Sequence, residues 1–277
     1  MTNVRFLAVA VSLLVGCAEG VPTPLSWEEF EAGAVRDVNG GYIVNGDEPA
    51  PNVESLRAYY DEYMAAWEAA NAEVAVATNP LTVNVVGGKW DVYDASRKLN
   101  LTYCVSRQSF GANYDRVVRE MAAAAGAWEA AANLNFTHLV DQDGNCTASN
   151  PNVWFDVNQV TGQQYVARAF FPSSGRAERN VLIDTQAYGN MGVWTLTGVL
   201  RHELGHTLGW RHEHARWESW SIFAGCFESL FGGFAAVNAY DAKSVMHYPQ
   251  CNGKQTGDLV LTQGDIAGAQ SVYGAPQ

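Results

Sequence analysis

Residues 202–212 follow the pattern H-E-x-x-H-x-x-G-x-x-H, with His202, Glu203, His206, Gly209 and His212 at the fixed positions. Three imidazoles can hold one zinc ion, and three protein ligands leave a fourth position for water. That is the arrangement of a catalytic rather than a structural zinc site. On a helix, residues four apart face the same way, one turn apart. His202 and His206 therefore converge, and Glu203 lies slightly round the helix, better placed to touch a bound water than the metal. Gly209 tolerates a left-handed backbone, so the helix can end there and the chain can return with His212 as third ligand. Of six histidines, His202, His206, His212 and His214 fall within thirteen residues. Two surface histidines on an amphipathic helix account poorly for that clustering.

A second signal follows the third histidine by some thirty residues: Ser244-Val245-Met246-His247-Tyr248-Pro249. Together the two segments resemble a metzincin metallopeptidase, closest to the astacin branch. Glu213-His214-Ala215-Arg216 is similar to the Glu-His-x-Arg with which astacins continue the zinc motif, and residues 244–248 match the Ser-x-Met-His-Tyr of their Met-turn. The resemblance implies that Met246 forms an apolar floor beneath the zinc. It also implies that Tyr248 is a fifth ligand that swings away to hydrogen-bond the transition state. Ala167, Arg168, Ala169 and Phe170, leading to Phe171 and Pro172, are similar to the edge strand that binds extended substrate by strand addition. A plain core strand fits that pattern as well.

The same resemblance implies an α+β, zincin-like fold of two subdomains. Its parts are a mostly parallel twisted sheet, a long first helix, an active-site helix and a Met-turn. Residues 18–90 precede the part that carries the likeness, as a small, mostly helical pro-segment would. Val44-Asn45-Gly46-Asp47 is similar to the astacin pro-segment motif Phe-x-Gly-Asp, with valine in place of phenylalanine. The implied role of Asp47 is to occupy the open zinc position until the segment is cut. A surface Gly-Asp turn is the alternative.

The elements that must position these groups follow from periodicity and punctuation. Helices are expected over 26–34 and 52–72, with a break at Asn79-Pro80. Strands are expected over 81–86 and 99–105, then a long Ala-rich helix over 113–133 with Asn113 as N-cap. Short strands should follow around 135–140, 153–157, 165–171 and 181–184, and then the zinc helix. Thr262 can cap a last helix to about Tyr273, with Asp265 as its capping-box partner. Trp217, Trp220, Phe223, Phe227 and Phe231 suit core better than a pocket wall.

Composition bounds the function. With 277 residues, 48% hydrophobic, the chain can bury a sizeable core. A net charge of −12 and the lack of a basic stripe argue against nucleic acid. Arg5 followed by the apolar run 6–15 reads as an export signal, 1–16, too short to span a membrane. Leu14-Val15-Gly16-Cys17 resembles a bacterial lipobox, so Cys17 is a candidate lipid anchor; an ordinary cleaved signal is the other reading. The remaining cysteines suggest two disulfides, Cys104–Cys146 and Cys226–Cys251 being the pairs nearest in sequence. The organisation expected is signal 1–16, linker and inhibitory segment 17–90, and catalytic domain 91–277. The expected function is an exported, zinc-dependent endopeptidase with Glu203 as general base, acting on protein or peptide. The alternative is a surface lipoprotein that binds peptide or polymer with a structural zinc. Scattered Asp and Asn residues make no EF-hand run, which leaves calcium open.

Overall fold

The computed structural model describes residues 24–71, 81–216 and 234–277. Cys17, Cys226 and the aromatic residues between 217 and 231 lie outside that set. The chain starts with helix α1 (Trp27–Gly33), which Ser26 and Glu29 close with a reciprocal capping box. Helix α2 (Val53–Asn71) follows. Phe30 packs edge-on to Tyr60 and tilted against Tyr63, joining the two helices. Between them, where no strand is expected from the sequence, lies a three-stranded antiparallel sheet of β1 (Val35–Arg36), β2 (Tyr42–Val44) and β3 (Glu48–Ala50). Its tight turn depends on Asn45 and Gly46, which both take positive φ (54° and 95°). An Asn-Gly pair is the strongest short-range hairpin signal, because its turn twist matches the strands. Tyr42, Val44 and Ala50 then pack on Leu56 of α2.

Strands β4 (Thr82–Val86), β5 (Lys89–Trp90) and β11 (Phe234–Ala236) form a second antiparallel sheet. The main sheet has the order β7-β6-β8-β10-β9. It is built from β6 (Leu101–Val105), β7 (Phe136–His138), β8 (Phe155–Val160), β9 (Ala167–Arg168) and β10 (Asn180–Asp184). Every pairing is parallel except that of the edge strand β9 with β10. Parallel strands need their faces covered. Helix α4 (Tyr114–Ala131) buries Val117, Met121, Ala124 and Trp128 in the core, and Trp128 Nε1 donates to Arg201 O of α5 (Leu196–Thr207) at 2.8 Å. The mixed α+β class and the mostly parallel sheet agree with the sequence reading. Among the described residues no helix is long and apolar enough to cross a membrane.

Two local expectations change. Asn113 makes no side-chain cap; Ser106 instead caps a short helix α3 (Arg107–Phe110), accepting from Ser109 N at 3.1 Å, and the chain enters α4 through a 3-10 turn. Residues 165–171 yield a strand of only two residues, β9. Phe170 turns into the core against Phe155, and Pro172 has no N–H to extend the ladder. At the chain's end, α6 (Gln263–Tyr273) has the expected Thr262–Asp265 capping box.

Cys104 and Cys146 are disulfide-bonded with Cα atoms 5.5 Å apart, tying β6 to the loop after β7. Reduction should destabilise the chain by about 2–4 kcal/mol. Urea unfolding with and without reductant measures this, and an unchanged midpoint would remove the disulfide from the list of stabilising features.

Candidate metal centre

Helix α5 begins at Thr195, whose hydroxyl accepts from Gly198 N at 3.0 Å, and it is buried along most of its length. The helix therefore places His202 and His206 one turn apart on a buried face. The turn after it depends on Gly209, at φ +94°, where a Cβ would come within 2.3 Å of Asp91 O. Two backbone contacts then fix the returning segment. Arg211 N donates to Thr82 O of β4 at 2.8 Å, and Glu213 N donates to Met246 O at 2.9 Å. Residues 81–90, which the sequence groups with the leading segment, are thus hydrogen-bonded to the metal motif itself.

His212 completes a triad. The Nε2 atoms of His206 and His212 each lie 3.2 Å from that of His202. His202 Nδ1 meets Val245 O at 2.8 Å, and His206 Nδ1 meets Trp210 O at 2.7 Å. A carbonyl can only accept, so both Nδ1 atoms carry the proton and both Nε2 lone pairs point inward. Burial presses His202 down to about 4, so its ring is neutral at neutral pH. Inward lone pairs at this separation repel unless a cation lies between them. A tetrahedral ion with Zn–N of about 2.05 Å spaces its nitrogens by roughly 3.3 Å. The residues present fit zinc, and the backbone carbonyls behind them are the outer partners that orient metal-bound histidines.

Glu203 is buried beside the triad, and its Oε2 has no hydrogen-bond partner among the described residues. Burial, reinforced by the nearby Asp47 carboxylate, pushes its carboxyl well above the ordinary range. Met246 is fully buried, its sulfur lying where a side chain on Gly205 would go, under the turn between His202 and His206. The Tyr248 ring stacks on His202 with centroids 5.3 Å apart and lies 4.6 Å from His212. Glu213 is buried as well; its Oε1 accepts from Asp241 N at 3.0 Å, and burial raises its carboxyl to about 8.

Asp47 reaches this centre from the β2–β3 turn. Its Oδ1 lies 3.0 Å from His212 Nε2 and 3.5 Å from His206 Nε2, and its Oδ2 lies 3.5 Å from His202 Nε2. Tyr248 Oη donates to Asp47 Oδ2. Asp47 and the three histidines together form a buried set of four possible ligands. Gly46 and Asp47 sit in a cleft lined also by Gln164 to Ala167, Trp194, Val199, Tyr248, Gln250 and Leu259. Gly46 has φ +95°, and a Cβ there would lie 3.1 Å from Tyr248 Oη. Gly46→Ala should therefore cost about 1–2 kcal/mol and lower the melting temperature of the full chain by a few degrees. An unchanged melting curve would mean the turn is not held tightly against Tyr248.

Three contacts seat the leading segment, and the sequence reading missed all of them. Arg211, inside the metal motif, forks onto Glu48 (Nε–Oε1 3.2 Å, Nη2–Oε2 2.9 Å) and reaches Glu62 Oε2 with Nη1 at 3.0 Å. Arg168, expected in the substrate edge, holds Asp37 Oδ2 at 2.7 Å and Asn180 Oδ1 at 2.5 Å. Ile43 packs on Tyr165 and Leu182. The Asn45-Gly46 pair was the available signal for the hairpin; nothing local marks the ion pairs. Of the expected edge residues, Ala167 lines the cleft, whereas Ala169 and Phe170 are buried beyond the strand. Cys251 is buried, and its expected partner Cys226 lies outside the described residues.

Residues 93–221 match the family described as Matrixin. The chain is also similar to stromelysin-3 of Xenopus laevis, 28% identical over 196 residues, which cover 69% of this chain and 34% of that protein. The chain thus spans about a third of the length of the curated relative it matches. The match carries the metal motif itself, and with the convergent imidazoles it supports a metzincin metallopeptidase without singling out the astacin branch.

Proposed function

We propose that the chain is an exported zinc-dependent endopeptidase of astacin-like type, made as a latent precursor in which Asp47 blocks the metal. One observation carries this reading: Asp47 and the three Nε2 atoms converge on a single point, and Glu203 lines the same cleft. The continuation Glu213-His214-Ala215-Arg216 and the Met-turn 244–248 favour the astacin-like type. His202, His206 and His212 would hold a zinc ion, which would supply an acidified water and an electrophile for the scissile carbonyl.

The chain's own groups do the rest. Glu203 accepts a proton from the attacking water at its carboxylate and delivers it to the leaving amine. Tyr248 Oη, now given to Asp47, donates to the substrate oxygen once Asp47 leaves. The edge at Ala167 offers backbone groups to an extended peptide. The carbonyls of Val245 and Trp210 hold the imidazoles of His202 and His206 in place, with Met246 packed against Gly205 of the same helix. Removal of the segment carrying Asp47 opens the cleft, and residues 1–16 direct export, after which the protein is either anchored by a lipid on Cys17 or secreted.

The test joins metal analysis to hydrolysis. The purified full chain should carry about one zinc per molecule, and after limited proteolysis it should cleave a protein substrate in a chelator-sensitive way. Zinc bound without any cleavage would favour a structural ion in a peptide-binding protein. The mass and first residue of the exported protein check the lipid and the processing site together.

A further inference from the structure

We propose that the outer face of strands β9 and β10 is a second substrate-binding surface, outside the metal cleft. It takes an acidic side chain of a protein substrate where Asp37 now lies, and an aliphatic one where Ile43 lies. This rests on the peptidase reading above. Cross-strand partners share one face of a sheet, and so do residues two apart in a strand. Arg168 pairs with Leu182, and Asn180 stands two residues before Leu182, so all three share a face. The neighbouring pair, Ala167 and Ile183, turns the other way, into the core. Tyr165 joins the outer face by packing on Leu182, and Ile43 of the leading segment covers them both.

This face holds a carboxylate by both oxygens. Asp37 Oδ2 accepts from Arg168 Nη2 at 2.7 Å, and Oδ1 accepts from Tyr165 Oη at 3.0 Å. The sheet itself sets the guanidinium, because Arg168 Nη1 donates to Asn180 Oδ1 at 2.5 Å and to Asn180 O at 3.3 Å. Asp156 lies near enough to feel the Arg168 charge, but Arg176 already holds it at 2.7 Å. Arg168 Nε is buried with no hydrogen-bond partner among the described residues. On the latency reading Asp37 and Ile43 leave together, while Arg168, Tyr165, Asn180 and Leu182 stay. The guanidinium then loses the carboxylate it holds, and a substrate carboxylate restores the charge-assisted pair. Tyr165 and Ala167 also line the metal cleft, so a chain leaving the cleft passes onto this face. Asp37 N donates to Gly41 O at 3.0 Å. The chain from residue 41 to the blocking Asp47 reaches about 20 Å at most, a span that about six extended substrate residues cover.

The experiment uses the full chain, loaded with zinc and activated by limited proteolysis. A short quenched fluorescent peptide fills the cleft alone, and its hydrolysis reports that the leading segment has gone. Longer peptides extend this core, on one side or the other, by residues 35–44 of this chain over spacers of different length. They carry Asp, Asn or Lys in the Asp37 position. On one side the Asp peptide should exceed the Asn peptide in kcat/KM by about tenfold, through KM. Arg168→Glu should make the Lys peptide better than the Asp peptide, a gain that misfolding cannot produce. If that variant binds no zinc, Tyr165→Phe replaces it and should shrink the Asp-over-Asn ratio severalfold. Equal values for Asp and Asn on both sides, or an Asp preference that survives the enzyme substitution intact, overturn the proposal, while hydrolysis of the core upholds the peptidase reading. Hydrolysis of none of the peptides by the zinc-loaded, cut parent overturns both.

Discussion

On the proposed function, Glu203→Ala should lower peptide hydrolysis by about two to four orders of magnitude while zinc stays bound. Its carboxylate is not among the four converging ligand groups, which are His202, His206, His212 and Asp47. Losing it therefore leaves the nitrogen triad and its carbonyl supports intact. What disappears is the proton carrier. Burial, with the nearby Asp47 carboxylate, holds this carboxyl above its ordinary range. Steady-state kinetics with parallel metal analysis reads both quantities. Loss of zinc along with activity would make Glu203 part of metal binding and not of proton transfer.

The second large effect belongs to Asp47. In the uncut full chain, Asp47→Ala should raise hydrolysis by roughly ten- to a hundredfold. It removes charge-assisted contacts worth about 1.5–3 kcal/mol, and each 1.4 kcal/mol is tenfold. The carboxylate lies within 3.0–3.5 Å of three imidazole nitrogens and also takes the Tyr248 hydroxyl. Its removal frees the metal face and the phenol at once. On the latency proposal, part of the inhibition should remain, because Glu48 and Glu62 still grip Arg211 and Asp37 still grips Arg168. Assays on chain verified uncut by mass spectrometry decide the matter. If the variant stays as silent as its parent, those outer grips and not the aspartate close the site.

The leading segment explains why such strong polar contacts are buried at all. Arg168 and Arg211 are both almost fully buried, each against a carboxylate from residues 37–62. Buried ion pairs add little net stability over apolar packing, but breaking one leaves a costly lone charge. They enforce one docking pose, and that pose brings Asp47 to the metal position. Glycine at 46 lets the turn pass under Tyr248 without a clash.

Much of this centre is legible in one dimension. Helical period fixes that His202 and His206 share a face, and Gly209 marks where the chain turns back. The capping box at Thr262 is likewise readable from spacing, whereas the cysteines allowed three connectivities, of which the fold brings Cys104 to Cys146. Other features resist such reading because they depend on distant segments. The edge strand shrinks to Ala167–Arg168 because Phe170 finds a place in the core. The hairpin around Asn45-Gly46 becomes a sheet only because Leu56 of α2 covers it.

The sequence by itself determined the donors: three imidazoles, one carboxylate neighbour and a glycine turn, all within residues 202–212 and fixed by local helix geometry. Tertiary structure decided which charges face them. Glu48 meets Arg211 across 163 residues of chain, Asp37 meets Arg168 across 131, and Asp47 meets Tyr248 across 201. The physical reason is range. A helix repeats every few residues whatever surrounds it, whereas a buried charge finds its partner only when folding has removed the water between distant segments.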